Sequence, residues 1–296
     1  MIMAPIALFT YNRPQHVRML IESLLKNDLS SQSELFIFSD GPKNKNDALR
    51  VDKVRAYIRQ IRGFQSVHIE ESPINQGLAN SVIYGVSKVL QEYDRIIVLE
   101  DDLVLSPFFL QFMNEALEVY KDVQSVGNVN GHKLGIKYAC DTYFIHHMDS
   151  WGWGTWRRAW NKFEPDGKKL MRQLEEKGLC KQFDFEGAYP FVRMLQRQIE
   201  GKNSSWAIRW RASLFLNNLL CLNVGESLVI NNGADGSGTH LKKGILFPDA
   251  PLAIKPITVL KKEPVESALA KKAYIRYYRW NNSKLHKAIV RLQNIF

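Results

Sequence analysis

The sequence predicts an α/β fold, with a mainly parallel central sheet flanked by helices. A helical, tryptophan-rich half and a basic helical tail follow. Three observations carry this expectation. Apolar runs of strand length alternate with helical patterns through the first half, which implies right-handed βαβ crossovers. Several of those runs end in polar clusters, where ligands sit in parallel sheets. The chain has 296 residues, 45% apolar and 11% aromatic, enough for a large core without disulfides or structural metals.

Taken in order, "PIALFTY" reads as a strand and "RPQHVRMLIESLLKN" as a helix with Pro14 in its first turn. "ELFIFSD" is a second strand, and a polar helix is expected from about Asn46 to Arg62. "SVHIEES", the helix "GLANSVIYGVSKVLQEY" and the strand "RIIVLED" follow. "SPFFLQFMNEALEVYKD" starts a helix, with Ser106 as its N-cap and Pro107 at the first helical position. "SVGNVNG" and "TYFIHHM" read as strands, and "SWGWGTWRRAW" as a Gly/Trp loop entering a helix. Helical patterns near 166–178, 188–200 and 206–219 precede a strand "SLVIN" and a glycine-rich loop "NGADGSGTH". The last thirty residues read as two helical pieces broken at Asn281 to Ser283.

The formal charge of +10 is unevenly placed. Residues 242–296 hold 12 Lys/Arg against 3 Asp/Glu, whereas residues 1–241 hold 28 against 27. Basic character confined to the tail points to a local partner and not to nucleic acid. Cys140, Cys180 and Cys221 form no CxxC pair, which argues against a disulfide framework or zinc site and for a reducing compartment. The first apolar run is too short to span a bilayer, and no run of roughly 18 apolar residues occurs. A cytoplasmic protein is expected, or one resting on a membrane surface.

The most informative stretch is "RIIVLEDDLVLSPFF". An apolar strand gains nothing from three carboxylates, Glu100, Asp101 and Asp102, at its tip. Such a group suits a hard cation, Mg²⁺ or Mn²⁺, shared with substrate phosphates. A solvated acidic turn before the next helix is the plainer explanation. Tyr11-Asn12-Arg13 and Ser39-Asp40-Gly41 fall at the same sheet edge, which favours the metal–diphosphate reading.

The ordered set "PIALFTYNRP", "FIFSDGPK", "NQGLANSV" and "IIVLEDDLVLSPFF" resembles the donor-binding half of GT-A glycosyltransferases. It is similar to bacterial family-2-like transferases related to the eukaryotic N-acetylglucosaminyltransferases of N-glycan branching. "SWGWGTWRRAW" and "SWAIRW…NNLLCLN…SLVINNGADGSGTH" extend the resemblance to about residue 241. It implies a Rossmann-like GT-A domain over residues 1–241, with a nucleotide-sugar-binding half (1–130), an acceptor half (131–241) and a basic C-terminal extension (242–296). It further implies an inverting, metal-dependent transfer from a nucleotide sugar, with UDP as the base. The acceptor is a glycan or lipid-linked glycan in surface polysaccharide synthesis. Asp102 would be the direct ligand to Mn²⁺ or Mg²⁺. Glu100 and Asp101 would face sugar, ribose or ordered water, and Thr10, Asn12 and Arg13 would lie beside the nucleotide. Asp40 would accept a hydrogen bond from the base, and Asn75 and Gly77 would let the chain approach the ribose. His240, ending its glycine-rich loop, would close over the diphosphate as a ligand or hydrogen-bond donor.

Trp151 and Trp153 flank Gly152 and can offer a platform to an acceptor sugar, with Trp206 of "SWAIRW" a further acceptor contact. Trp156 and Trp160, four apart, read as core anchors, and His146 and His147 as packing or surface residues. The related motif usually has an acid after the tryptophan, "SWDI", where this chain has Ala207. Three explanations stay open: an inactivated variant, a base elsewhere with Asp149 the leading replacement, or a non-catalytic relative. In the tail, the stripe of Leu285, Ala288, Ile289, Leu292, Ile295 and Phe296, edged by Lys284, Lys287 and Arg291, suits an anionic membrane surface. "KKAYIRYYRW" adds aromatics for the same depth, and a peripheral site on the inner face of the plasma membrane follows. A terminal helix docked on the protein's own core is the alternative. A sugar-phosphate nucleotidyltransferase would also use such a sheet, but it needs a glycine-rich phosphate loop where this chain has "TYNRP". A non-catalytic carbohydrate-binding protein would leave the acids inert.

Overall fold

The protein is described by a computed structural model covering residues 2–138, 140–233 and 251–283. β1 (Ile6–Thr10) lies inside the sheet, and its alternate side chains serve opposite faces. Ile6 and Leu8 pack with Val17, Leu20 and Ile21 of α1 (Pro14–Leu24), while Ala7 and Phe9 pack on the other side. β2 (Glu34–Ser39) leads to α2 (Lys45–Ile58), capped by Asn44, whose side chain accepts from the amides of Asn46 and Asp47. β3 (Ser66–Glu71), α3 (Leu78–Glu92) and β4 (Arg95–Glu100) complete this half.

These strands are parallel in the order β3-β2-β1-β4. The chain leaves β1 first to one side and then to the other, so the switch point lies between β1 and β4. Register places Phe9 opposite Glu100 and Thr10 opposite Ser39. The residues after β1, β2 and β4 therefore emerge along one edge, as the alternation of runs predicts.

The second half runs through β5 (Leu103–Leu105), α4 (Phe109–Val119), β6 (Val126–Asn130), β7 (Thr142–Ile145) and β8 (Trp153–Trp156). Four helices follow: α5 (Arg157–Trp160), α6 (Gly167–Glu176), α7 (Cys180–Phe183) and α8 (Phe191–Ile199). Then come α9 (Trp206–Leu216), β9 (Leu220–Val224), β10 (Val229–Asn231) and α10 (Ala268–Asn282). The sheet extends from β4 through β8, β6, β9 and β7 to eight strands. Four of its seven pairings are parallel; β4 with β8, β6 with β8, and β7 with β9 are antiparallel. A separate antiparallel pair joins β10 to β5.

Two local expectations are corrected. The Gly/Trp segment is not a loop throughout: "WGTW" is a fully buried strand beside β4. Gly154 suits the close packing there: a Cβ would lie 2.8 Å from the Met113 Cε and 3.0 Å from the Ile96 carbonyl oxygen, so a side chain would have to push Met113 aside. Ser106 does not cap α4 directly. A turn at Pro107 and Phe108 delays that helix to Phe109, and the Ser106 hydroxyl donates to the Ala253 carbonyl at 2.8 Å.

The tail helix α10 docks on the core, burying Ala270, Ala273, Tyr274 and Tyr278. Glu266, just before it, accepts from His146 Nδ1 and Lys271 Nζ, each at 3.0 Å. Burial raises the Glu266 carboxyl, but these donors outweigh it and bring the pKa down to about 2. Residues 284–296, with the expected apolar stripe, lie outside the described residues. No helix among the described residues is long and apolar enough to cross a membrane. All three cysteines are free.

Candidate active site

At the switch point the end of β4 meets the start of α1. The Arg13 guanidinium bridges Asp101 and Asp102, forming an ion pair with Asp101 and lying 3.1 Å from Asp102 Oδ2. Both carboxylates are buried, as is Thr10. Asp101 Oδ2, Asp102 Oδ1, Arg13 Nη1 and Thr10 Oγ1 are buried without a hydrogen-bond partner. β10 closes over the acids, with Asn232 N donating to the Asp102 carbonyl at 2.7 Å. A Cβ at Gly233 would lie 2.6 Å from Asp102 Oδ2, so any larger residue there displaces that carboxylate.

These oxygens fit a hard divalent cation. Mg²⁺-type ions take one or two carboxylates and complete their shell with water and substrate phosphates. Among the described residues no three His, Cys, Asp or Glu side chains cluster as a metal cage. His240 lies outside the described residues.

The electrostatics follow from burial. Burial lifts the Glu100 carboxyl to about 8, reinforced by the charges of Asp102 and Asp101 and only partly opposed by the Trp206 indole and Arg13. The indole Nε1 donates to Glu100 Oε1 at 3.3 Å. Asp101 is also raised by burial, despite Arg13. For Arg13, burial acts downward, but the two aspartates win and hold the guanidinium firmly charged.

The acids open onto a cavity of about 660 Å³, within the usual range for ligand sites. It is lined by Arg13, Glu100 and Asp102 from the switch point and also by Asp149, Trp151 and Ala207. Leu78 and Ala79, the first turn of α3, also line it.

Several expected contacts are placed differently. Asp40 is not open to a base: its two oxygens accept from Gly41 N, Gln76 N, Asn75 Nδ2 and Gly77 N at 2.8–3.0 Å. These fill the roughly four acceptor sites of a carboxylate, so Asp40 staples the 75–77 loop. Asn75 is held in that staple, and Gly77 supplies a φ of +77° where α3 begins. The Asn12 amide turns to Asp47 Oδ1 at 2.9 Å, beside the Tyr11 hydroxyl on Asp47 Oδ2. Trp153 is not an acceptor platform, because it is fully buried. Its ring stacks on Trp206 at 5.2 Å and lies 6.0 Å from Trp160. Trp156 ends β8 and Trp160 lies in α5, and both are core residues. Trp151 and Trp206 do line the cavity.

Asp149 reaches the cavity already engaged. His132 Nδ1 donates to its Oδ2 at 2.8 Å, and Trp151 N donates to its Oδ1 at 3.0 Å. Burial raises its carboxyl, but His132 outweighs that and the net shift is downward. His132, His147 and Arg211 also line the cavity; the sequence marks neither His132 nor Arg211 and reads His147 as a packing or surface residue. A signal existed for His132: it follows β6 as Asp102 follows β4. His147 is buried, and burial followed by the Arg211 charge pulls its pKa well below the ordinary imidazole value.

Glu100 yields a pH prediction. Its pKa is about 4.5 unfolded and about 8 folded, so between those values the folded chain binds more protons and stability falls as pH rises. Thermal unfolding without metal should show this loss between about pH 4.5 and 8. Glu100→Gln should flatten it, and an unchanged slope in the variant would contradict the assignment.

No curated protein matches the chain. Three solved structures similar to it were compared. A mannosyltransferase, PcManGT, from Pyrobaculum calidifontis, in complex with GDP-Man and Mn²⁺, is 10% identical with a TM-score of 0.41, covering 72% of this chain and 68% of that one. S. aureus TarS is 13% identical with a TM-score of 0.31, covering 44% of this chain and 22% of that one. Mouse xyloside xylosyltransferase 1, in its apo form, is 10% identical with a TM-score of 0.42, covering 73% and 83%. The model of glycosyl transferase family 2 matches residues 6–178, more than half of the chain. With its switch-point acids and its GT-A-type α/β sheet, the chain belongs to glycosyl transferase family 2.

Proposed function

We propose that the chain transfers a sugar, with inversion, from a UDP-sugar to a hydroxyl of a glycan or lipid-linked glycan. In this reading Asp102, with Asp101, holds a divalent ion on the donor diphosphate. The observation that carries it is the buried, unpartnered Asp102 Oδ1 in the acid cluster on the cavity wall at the switch point. Family membership favours transfer over the nucleotidyltransferase and lectin alternatives.

When bound, the ion supplies positive charge to the leaving diphosphate. Arg13 is the protein's own cation at that place, and the amide end of α3 adds a favourable dipole. The acceptor oxygen attacks the anomeric carbon, the bond from that carbon to phosphate oxygen breaks, and the nucleoside diphosphate leaves with the electron pair. The acceptor proton passes to the Asp149–His132 pair, since Ala207 offers no acid. A paired carboxylate with a lowered pKa is a weak base alone; its value lies in orienting and stabilising the imidazole. Residues 1–130 form the donor half, 131–241 the acceptor half and 242–296 a basic extension.

The described part of that extension presents Lys272, Arg276, Arg279 and Trp280 on the solvent side of α10. We place this face against anionic lipid on the inner leaflet of the plasma membrane. Because α10 is part of the core, the test is charge reversal and not truncation.

Three outcomes follow. Asp102→Asn should lower transfer by roughly 10²-fold or more and abolish Mn²⁺-dependent stabilisation by UDP; retained stabilisation would move the ion elsewhere. Asp149→Asn should lower transfer by about 10²–10⁴-fold with nucleotide binding unchanged, and Ala207→Asp in that background should restore part of the loss. Full activity of Asp149→Asn would remove the pair from proton transfer. Lys272→Glu with Arg276→Glu and Arg279→Glu should stop sedimentation with phosphatidylserine vesicles, and unchanged sedimentation would exclude this face.

A further inference from the structure

We propose that the inner end of the cavity is an anion subsite for the acceptor, where Arg211 receives a carboxylate or phosphate borne close to the reacting hydroxyl. This rests on the transferase reading above and deepens it by naming the acceptor's chemical class.

Arg211 is 4% exposed yet lies on the cavity wall. A buried charge is normally paired or fully hydrogen-bonded. Here Nε and Nη1 have no partner, and no carboxylate lies within ion-pair distance among the described residues. Asp184 is near enough to feel the charge, but its Oδ1 accepts from Val192 N at 2.7 Å. What surrounds the guanidinium is aromatic: the Phe191 ring at 3.6 Å, Phe185 at 5.2 Å and Phe183 at 5.5 Å. Ring faces stabilise the charge but leave the N–H donors unused. His147 Nδ1, on the same wall, is a second buried polar atom without a partner.

Position narrows the ligand. Ala207 and Arg211 stand four residues apart on α9, hence on one face, about 6 Å apart along the axis. Arg193 and Arg197 repeat that spacing on α8 and line the cavity from exposed positions. Among the described residues the lining acids are Glu100, Asp102 and Asp149; the first two sit at the end of β4 and the third is engaged with His132. The inner end is therefore positive. An anion at Arg211, in the same cavity as the Asp149–His132 pair that takes the acceptor proton, belongs to the reacting sugar or its immediate neighbour. An acidic sugar or a glycosyl phosphate supplies it.

The test uses the wild-type chain with its donor site filled by UDP and Mn²⁺, titrated by thermal shift. Methyl glucuronide carries a carboxylate, glucose 1-phosphate a phosphate, and methyl glucoside is the neutral control. At least one charged ligand should bind roughly tenfold or more tightly than the neutral one, and the tighter of the two identifies the source. Arg211→Met should erase that preference without lowering the melting temperature, whereas Arg211→Lys should keep part of it. Equal binding of charged and neutral ligands by the wild type would overturn the proposal, as would a preference that survives in Arg211→Met. A melting temperature that falls in Arg211→Met with no wild-type preference would assign the arginine to the core alone. Failure of the donor reading appears separately, as the absence of stabilisation by UDP and Mn²⁺.

Discussion

The site is built around the repulsion among Glu100, Asp101 and Asp102. At about 4 Å and an effective dielectric near 20, each like-charge contact costs on the order of 4 kcal/mol. The fold meets that cost in two ways: Arg13 neutralises Asp101 and Asp102, and Glu100 keeps its proton beneath the Trp206 indole. The parallel register of β1 and β4 puts Arg13 within reach of acids 88 residues away. Gly233 preserves the space of the Asp102 carboxylate. What this leaves without a partner, Asp101 Oδ2 and Asp102 Oδ1, is what the proposed cation would use.

The opposite wall is fixed by α9 and a buried polar chain. Trp206 touches Glu100, and Trp210 donates to Asn128 Oδ1 at 3.2 Å. Asn128 donates to Asn130, which accepts from Asp149 N and donates to the His147 carbonyl and to Asn223. Buried networks of this kind specify one arrangement when their members are satisfied. The loop carrying His147, Asp149 and Trp151 is thereby locked to the same helix that carries Ala207 and Arg211. One helix thus reaches from Glu100, through Trp206, to Arg211.

The strand edges of the first half were legible because each apolar run stops abruptly at polar residues, and that pattern survives without tertiary information. The acid cluster was legible for the same reason. "WGTW" was not, because four buried residues with a central glycine carry no period-two alternation and follow a loop-like Ser150-Trp151-Gly152. α9 hid Arg211 because buried residues surround the helix on all sides, Arg209 and Arg211 among them, so no polar face marks either arginine as special. The staple on Asp40 depends on partners 35 to 37 residues away, a distance that local pattern cannot bridge.

The most direct measurement is anomalous diffraction at the manganese edge from crystals grown with Mn²⁺ and a nucleoside diphosphate. A single strong peak bonded to Asp102 Oδ1, with the diphosphate on its far side, is the expected result. A peak away from β4, or none while Arg13 still bridges Asp101 and Asp102 and the nucleotide lies elsewhere, would contradict it.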